Sequence, residues 1–123
     1  MFNLPGTVKL VGVSFGNAQA NIKTFGSPDI RWFALVREPD NLHDPNAIRV
    51  ALFGEFFMGY IPKDVAANLA PLMDAGSEFD AEFVCVNKHP HHDVVGLTVQ
   101  IVEVTPLASE ENQSIKGGVS NDA

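Results

Sequence analysis

The chain has 123 residues and a formal net charge of −7, from 8 Lys and Arg against 15 Asp and Glu. That length holds a single core, and an apolar content of 46% is ordinary for a globular domain. No run is apolar enough to cross a membrane, the start Met1-Phe2-Asn3-Leu4-Pro5-Gly6 has no basic or apolar part of a signal peptide, and the lone Cys85 cannot close an internal disulfide, so the expectation is a cytoplasmic domain with no membrane partner.

Residues 7–15 are β-rich, and a period of two puts Val11, Val13 and Phe15 on one face. Gly16 breaks this strand. Asn17 is placed to cap a short helix through Ile22 and Lys23, closed by Gly26. Ser27-Pro28-Asp29 is a turn signal. Residues 30–36 carry Trp32, Phe33, Leu35 and Val36 and predict a buried strand. Residues 47–53 and 56–61 predict a hairpin around Gly54-Glu55.

Pro62 suits the first turn of a helix, and Asp64 favours its positive end. Val65, Leu69, Leu72 and Met73 follow helical spacing and should face the core. Pro71 removes a backbone donor, which predicts a kink or two short helices over 63–75, and Gly76 fits the cap beyond them. Phe79, Ala81, Phe83 and Cys85 then alternate with Asp80 and Glu82, which makes Cys85 an inert core thiol. Val95, Leu97, Val99 and Ile101 alternate with Thr98 and Gln100, and a loop over 87–93 joins the two strands. Beyond Leu107 the composition turns to Ser, Glu, Asn, Gly and Asp, which cannot build a core. The expectation is one mainly β domain over 1–107, a small antiparallel β-barrel with one or two short inserted helices, and a disordered tail over 108–123.

Chemistry concentrates in one turn, Arg37-Glu38-Pro39-Asp40-Asn41-Leu42-His43-Asp44-Pro45-Asn46, set between apolar strands. Its backbone has no ladder partners, so it lies at the surface. Each proline extends the residue before it, and Asp40, Asn41 and Asp44 can bond nearby N–H groups and stiffen the loop. A stiff loop presents His43, Asp44 and Asn46 in one geometry; the same features also describe a plain connection between strands. Arg49 is placed to neutralise the loop carboxylates, and Asn46 is assigned to loop architecture. His89-Pro90-His91-His92-Asp93 is a second polar cluster. A hairpin loop rarely gathers a closed ligand set alone, so incidental metal affinity is expected and no built metal site or cofactor. Glu38, Asp40 and Asp44 with Lys63 have the composition of a metal-dependent nuclease. Their place on one tight loop does not suit that reading, because such carboxylates converge from different elements. The charge of −7 repels a polyanion at long range. Much of it is segregated to Glu78, Asp80 and Glu82 and to Glu110 and Glu111, however, and screening acts over about 8 Å, so the acidity predicts weak local binding with a shallow salt slope.

The loop block running from Arg37 to Val50, followed by Gly59-Tyr60-Ile61-Pro62-Lys63 and preceded by Leu10-Val11-Gly12-Val13-Ser14-Phe15, resembles the HIRAN domain over about residues 8–104. That resemblance implies a barrel related to the oligonucleotide-binding fold. It also implies a non-catalytic module that grips the 3′-hydroxyl end of single-stranded DNA in repair or replication-fork processing, with a helicase or repair protein in trans as partner. The residues it assigns to nucleic-acid binding are Phe15, Asn41, His43, Asp44, Tyr60 and Lys63. Phe15 would stack on a base, Asp44 would accept a hydrogen bond from the terminal hydroxyl, Tyr60 would donate one, and Lys63 would neutralise a phosphodiester. Ser14, Arg37, His91 and His92 are weaker assignments. Two positions depart from the helicase-attached members: Ser14 replaces a basic residue and His43 a tyrosine. Those changes, with the acidity, support an alternative, a protein-interaction adaptor that kept the fold without DNA binding.

Overall fold

A computed structural model describes Leu4 and residues 6–104 of the chain. The expected tail over 108–123 lies outside the described residues. Among them run six strands and two helices: β1 (Thr7–Lys9), α1 (Ala18–Phe25), β2 (Trp32–Arg37), β3 (Ile48–Leu52), β4 (Phe56–Tyr60), α2 (Lys63–Asp74), β5 (Glu78–His89) and β6 (His92–Val104). Every strand pair is antiparallel, in the order β1-β6-β5-β2-β3-β4. Just past β1, the chain meets the other outer strand, β4, at a single bridge. Val11 N–H donates to the Tyr60 carbonyl at 2.9 Å, and Tyr60 N–H donates back at 2.8 Å. The sheet therefore curls into a half-barrel, closed at one point, as the alternating strands predict.

The core fills the inside of this curl. Phe33, Ile48, Val50, Met58, Leu69, Leu97, Val99 and Ile101 are its largest fully buried side chains besides Ile22 of α1. Removing that apolar surface from water, at roughly 25 cal/mol per Å2, is the main force holding the curl. Helix α1 covers the gap that the single bridge leaves between β4 and β6. Gln19 Nε2 donates to the carbonyls of Val13 and Val95, both at 2.8 Å, and Val95 N–H donates to Gln19 Oε1 at 2.9 Å. On the other side Asn21 Nδ2 donates to the Phe57 carbonyl at 2.9 Å. These amides satisfy backbone groups that a complete ladder would have paired.

Several expectations need correction. The first strand ends at Lys9, because Gly12 has φ +65° and turns the chain. Its buried face is Val8 and Leu10, so Val11 and Phe15 are exposed. Trp32 is 42% exposed, since it points away from the core face that Phe33 occupies. Asn17 precedes α1 without a side-chain cap bond. Pro62 stands at the cap of α2, one position earlier than the first turn. Pro71 does not split α2. It falls near the helix end, and the Ala67 carbonyl it cannot bond belongs to an exposed residue that water reaches. Leu69 is buried beside Ala66 and Ala70, with Val65, Leu72 and Met73 packed at the margin. The helix closes at Gly76, φ +112°, with Ser77 N–H on the Leu72 carbonyl at 2.9 Å and Gly76 N–H on the Met73 carbonyl at 3.1 Å, a Schellman cap.

Cys85 is exposed and is no core thiol. An irregularity inserts Val84 between the Phe83–Val99 and Cys85–Thr98 pairs, which turns both Val84 and Cys85 outward. The expected loop over 87–93 is a tight turn at Pro90-His91, with His89 paired to His92 across it.

Candidate nucleic-acid interface

The closure point of the barrel is also where the polar loop arrives. Loop 38–47 leaves β2 and returns into β3 beside the Val11–Tyr60 bridge. Its shape comes from its own side chains. Asn41 Oδ1 accepts from His43 N–H at 2.9 Å and Asp44 N–H at 3.1 Å, and Asp44 Oδ1 accepts from Asn46 N–H at 2.9 Å. Asn46 thus contributes its backbone to the loop architecture. Glu38 ties the loop to the barrel. Its Oε1 accepts from Asn41 Nδ2 and from the Tyr60 hydroxyl, both at 2.9 Å. Its Oε2 lies 3.7 Å from Arg49 Nε, so Arg49 does face a loop carboxylate. Nothing in the residue pattern marks Glu38 as the centre of this network, because its partners come from three different elements.

The result is an open depression of about 630 Å3 lined by Val11, Gly12, Phe15, Asn41, His43, Asp44, Ala47, Tyr60, Ile61 and Lys63. Phe15, Asn41, His43, Asp44, Tyr60 and Lys63 all lie on it. Phe15 is 63% exposed, an aromatic ring in a turn with one face on solvent. Gly12 holds the turn: a methyl there would meet the Phe15 ring at 3.1 Å and the Tyr60 ring at 3.2 Å. Gly12 therefore lets each ring pack against the turn, in a conformation other residues resist. Sequence reasoning did not single it out.

The chemistry of the depression is mixed. Asp44 keeps one carboxylate oxygen without a partner among the described residues, and the His43 ring and Lys63 ammonium likewise make no hydrogen bond there. An acceptor, an imidazole, an ammonium and an exposed ring thus surround an apolar floor. Tyr60 differs from its expected role. Its hydroxyl proton is directed at Glu38, so towards the depression it offers ring surface and an acceptor oxygen. Burial, and then the Glu38 carboxylate, push its pKa up.

The weaker assignments lie outside this lining. Ser14 is exposed in the same turn as Phe15. Arg37 is committed elsewhere. Its Nε and Nη2 donate to the two Asp74 oxygens at 2.9 and 3.0 Å, and Nη1 donates to the Ala47 carbonyl at 2.9 Å. That fork pins the end of α2 to the root of the loop, raises the Arg37 pKa and lowers that of Asp74. His91 and His92 sit at the β5–β6 hairpin tip, where the His92 ring stacks on His89 at 3.9 Å. Among the described residues no three His, Cys, Asp or Glu side chains are grouped as a metal site requires.

Comparison with known proteins agrees with this construction. The family model of the HIRAN domain matches residues 8–103. Two curated relatives match over shorter stretches, both Fanconi-associated nuclease 1 homologs. The Arabidopsis thaliana protein is 41% identical over 49 residues, 40% of this chain, and the Oryza sativa subsp. japonica protein is 46% identical over 43 residues, 32% of this chain. The chain spans only 5% and 4% of their lengths. Among solved structures, a protein from Lactobacillus plantarum is similar with a TM-score of 0.63 and 25% identity, over 81% of this chain and 92% of that one. The HIRAN domain of human HLTF shares the fold with a TM-score of 0.56 and 21% identity, over 80% of this chain and 78% of that one. A family match over most of the folded part, on a half-barrel of the right shape, identifies the chain as a member of the HIRAN domain family, whose domains bind DNA and are not catalytic.

Proposed function

We propose that the depression at the barrel closure holds the 3′ end of a single DNA strand with a free 3′-hydroxyl. The observation that carries this reading is the convergence around one apolar floor of an exposed aromatic plate, Phe15, with a carboxylate oxygen on Asp44 and an ammonium on Lys63 that have no partner among the described residues. A terminal base stacks on Phe15, its 3′-hydroxyl donates to Asp44, and Lys63 meets the last phosphodiester. A terminal phosphate would bring negative charge against Asp44, which gives end specificity a physical cause. His43 adds a stacking or donor group, and the Tyr60 ring walls the site. Two stacked bases and a few charge-assisted bonds supply about 6 kcal/mol, a dissociation constant in the tens of micromolar.

The chain acts in this reading as a recognition module in DNA repair or fork processing, in the cytoplasm and in company with a helicase or repair protein that supplies any motor. Titration of single-stranded DNA tests it. Phe15→Ala and Asp44→Ala should each weaken binding by roughly 1–3 kcal/mol while the fold persists. Unchanged affinity in both variants would reject this site. The net charge of −7 favours a second reading, the adaptor that binds protein instead; a wild-type chain that binds no single strand at all would select it.

A further inference from the structure

Asp44 lines one side of the depression and sits on the same loop as Glu38 and Asp40, which makes that side hostile to phosphate. The opposite rim is different. Val11 lines the depression, and Lys9 lies two residues earlier on the same extended segment, about 7 Å away and on the same outward face, since Val8 and Leu10 point into the core. Lys9 also leans towards the rim. It pairs with Thr98, yet a methyl on Gly96 would meet Lys9 Cε at 3.6 Å. The Leu10 N–H bond to the Leu97 carbonyl carries the register on, so that Gly96 faces Val11 across the strands. Thr98 and Asn87 stand beside Lys9, with Thr98 Oγ1 donating to Asn87 Oδ1 at 2.8 Å, and the Lys9 and Asn87 side chains lie over Gly96. Among the described residues Arg31, Arg37 and Arg49 each face a carboxylate, whereas Lys9 makes no ion pair.

We infer that Lys9, whose side chain lies over Gly96, forms a backbone track for the nucleotides 5′ of the bound end. The strand leaves the depression over Val11, away from the loop carboxylates. Its phosphodiester passes Lys9, whose ammonium neutralises it. The inference rests on the end-binding reading above. It adds a length dependence: a strand that reaches the track binds more tightly than a piece that fills only the depression.

Two ligands separate the two claims. One is a dinucleotide with a free 3′-hydroxyl, followed by chemical-shift titration. The other is a single strand of about ten nucleotides, within the span an oligonucleotide-binding barrel covers. Lys9→Gln should weaken the longer strand by about three- to tenfold and lower its salt slope by about 0.7, the loss of one phosphate contact, while leaving the dinucleotide unchanged. Lys9→Arg should keep both affinities. Gly96→Val should displace the Lys9 side chain that lies over it and reproduce the length-dependent loss, its added Cβ meeting Asn87 Oδ1 at 3.4 Å and Lys9 Cε at 3.6 Å. Equal binding of the longer strand by wild type and Lys9→Gln, with the dinucleotide still bound, overturns the track and leaves the depression standing. A wild-type chain that binds neither ligand overturns both.

Discussion

Glu38 shows how much of the site rests on one side chain. Its carboxylate takes the Asn41 amide and the Tyr60 hydroxyl at 2.9 Å and faces Arg49 at 3.7 Å. Tyr60 is the sole tyrosine, so tyrosinate absorbance reads it directly. Its raised pKa means that folding favours the protonated phenol. That part of stability is present below the unfolded value near 10 and is lost as pH rises through the folded value. Glu38→Gln should bring the folded pKa back towards 10 without reaching it, because burial, the larger cause, remains. An unchanged titration would show that Glu38 does not govern Tyr60. At this scale the sequence was readable where residues bond locally: the Asn41 and Asp44 turns follow from side chains that bond two or three positions on. Glu38 was not readable, because Tyr60 lies 22 positions away.

The elements were legible where punctuation and alternation agree. Pro62 and Gly76 bracket α2, and the period of two in residues 95–101 matches the buried side of β6. They were not legible where one residue shifts the register. Val84 is such an insertion, and it moved Cys85 from core to solvent. Gly12 acts differently: its positive φ turns the chain before the expected alternation ends. The long-range staples also left no local trace. Gln19→Leu should remove three hydrogen bonds that tie α1 to residue 13 and to β6, a loss of roughly 1–3 kcal/mol in urea unfolding followed by Trp32 fluorescence. The turn carrying Phe15 should loosen with it, so DNA affinity should fall as well. The β3–β4 hairpin offers the opposite sign. Phe53 has φ +56° and is 81% exposed, so its ring gains little from burial and its backbone is strained. Phe53→Asn should stabilise the fold by about 0.5–1 kcal/mol, since asparagine adopts this conformation more readily in primed turns.

For the whole molecule, net charge misleads as a guide to partners. Glu78 is exposed and Asp80 and Glu82 half-buried on β5, with Glu82 paired to Arg31, while Lys9 and Lys63 make no ion pair among the described residues. Acid stability should depend on the Arg37–Asp74 fork. Asp74 has a lowered pKa, so its contribution is present above the ordinary value of 3.8 and is lost as pH falls through the folded value. Asp74→Asn should flatten that part of the acid unfolding profile; an unaltered profile would show that the fork contributes nothing. The central claim is that the barrel closure reads a free 3′-hydroxyl. Titrating the protein with two otherwise identical single strands, one ending in a 3′-hydroxyl and one in a 3′-phosphate, tests it most directly. The account predicts tighter binding of the hydroxyl end and a loss of that preference in Asp44→Asn; equal affinity for the two strands would contradict it.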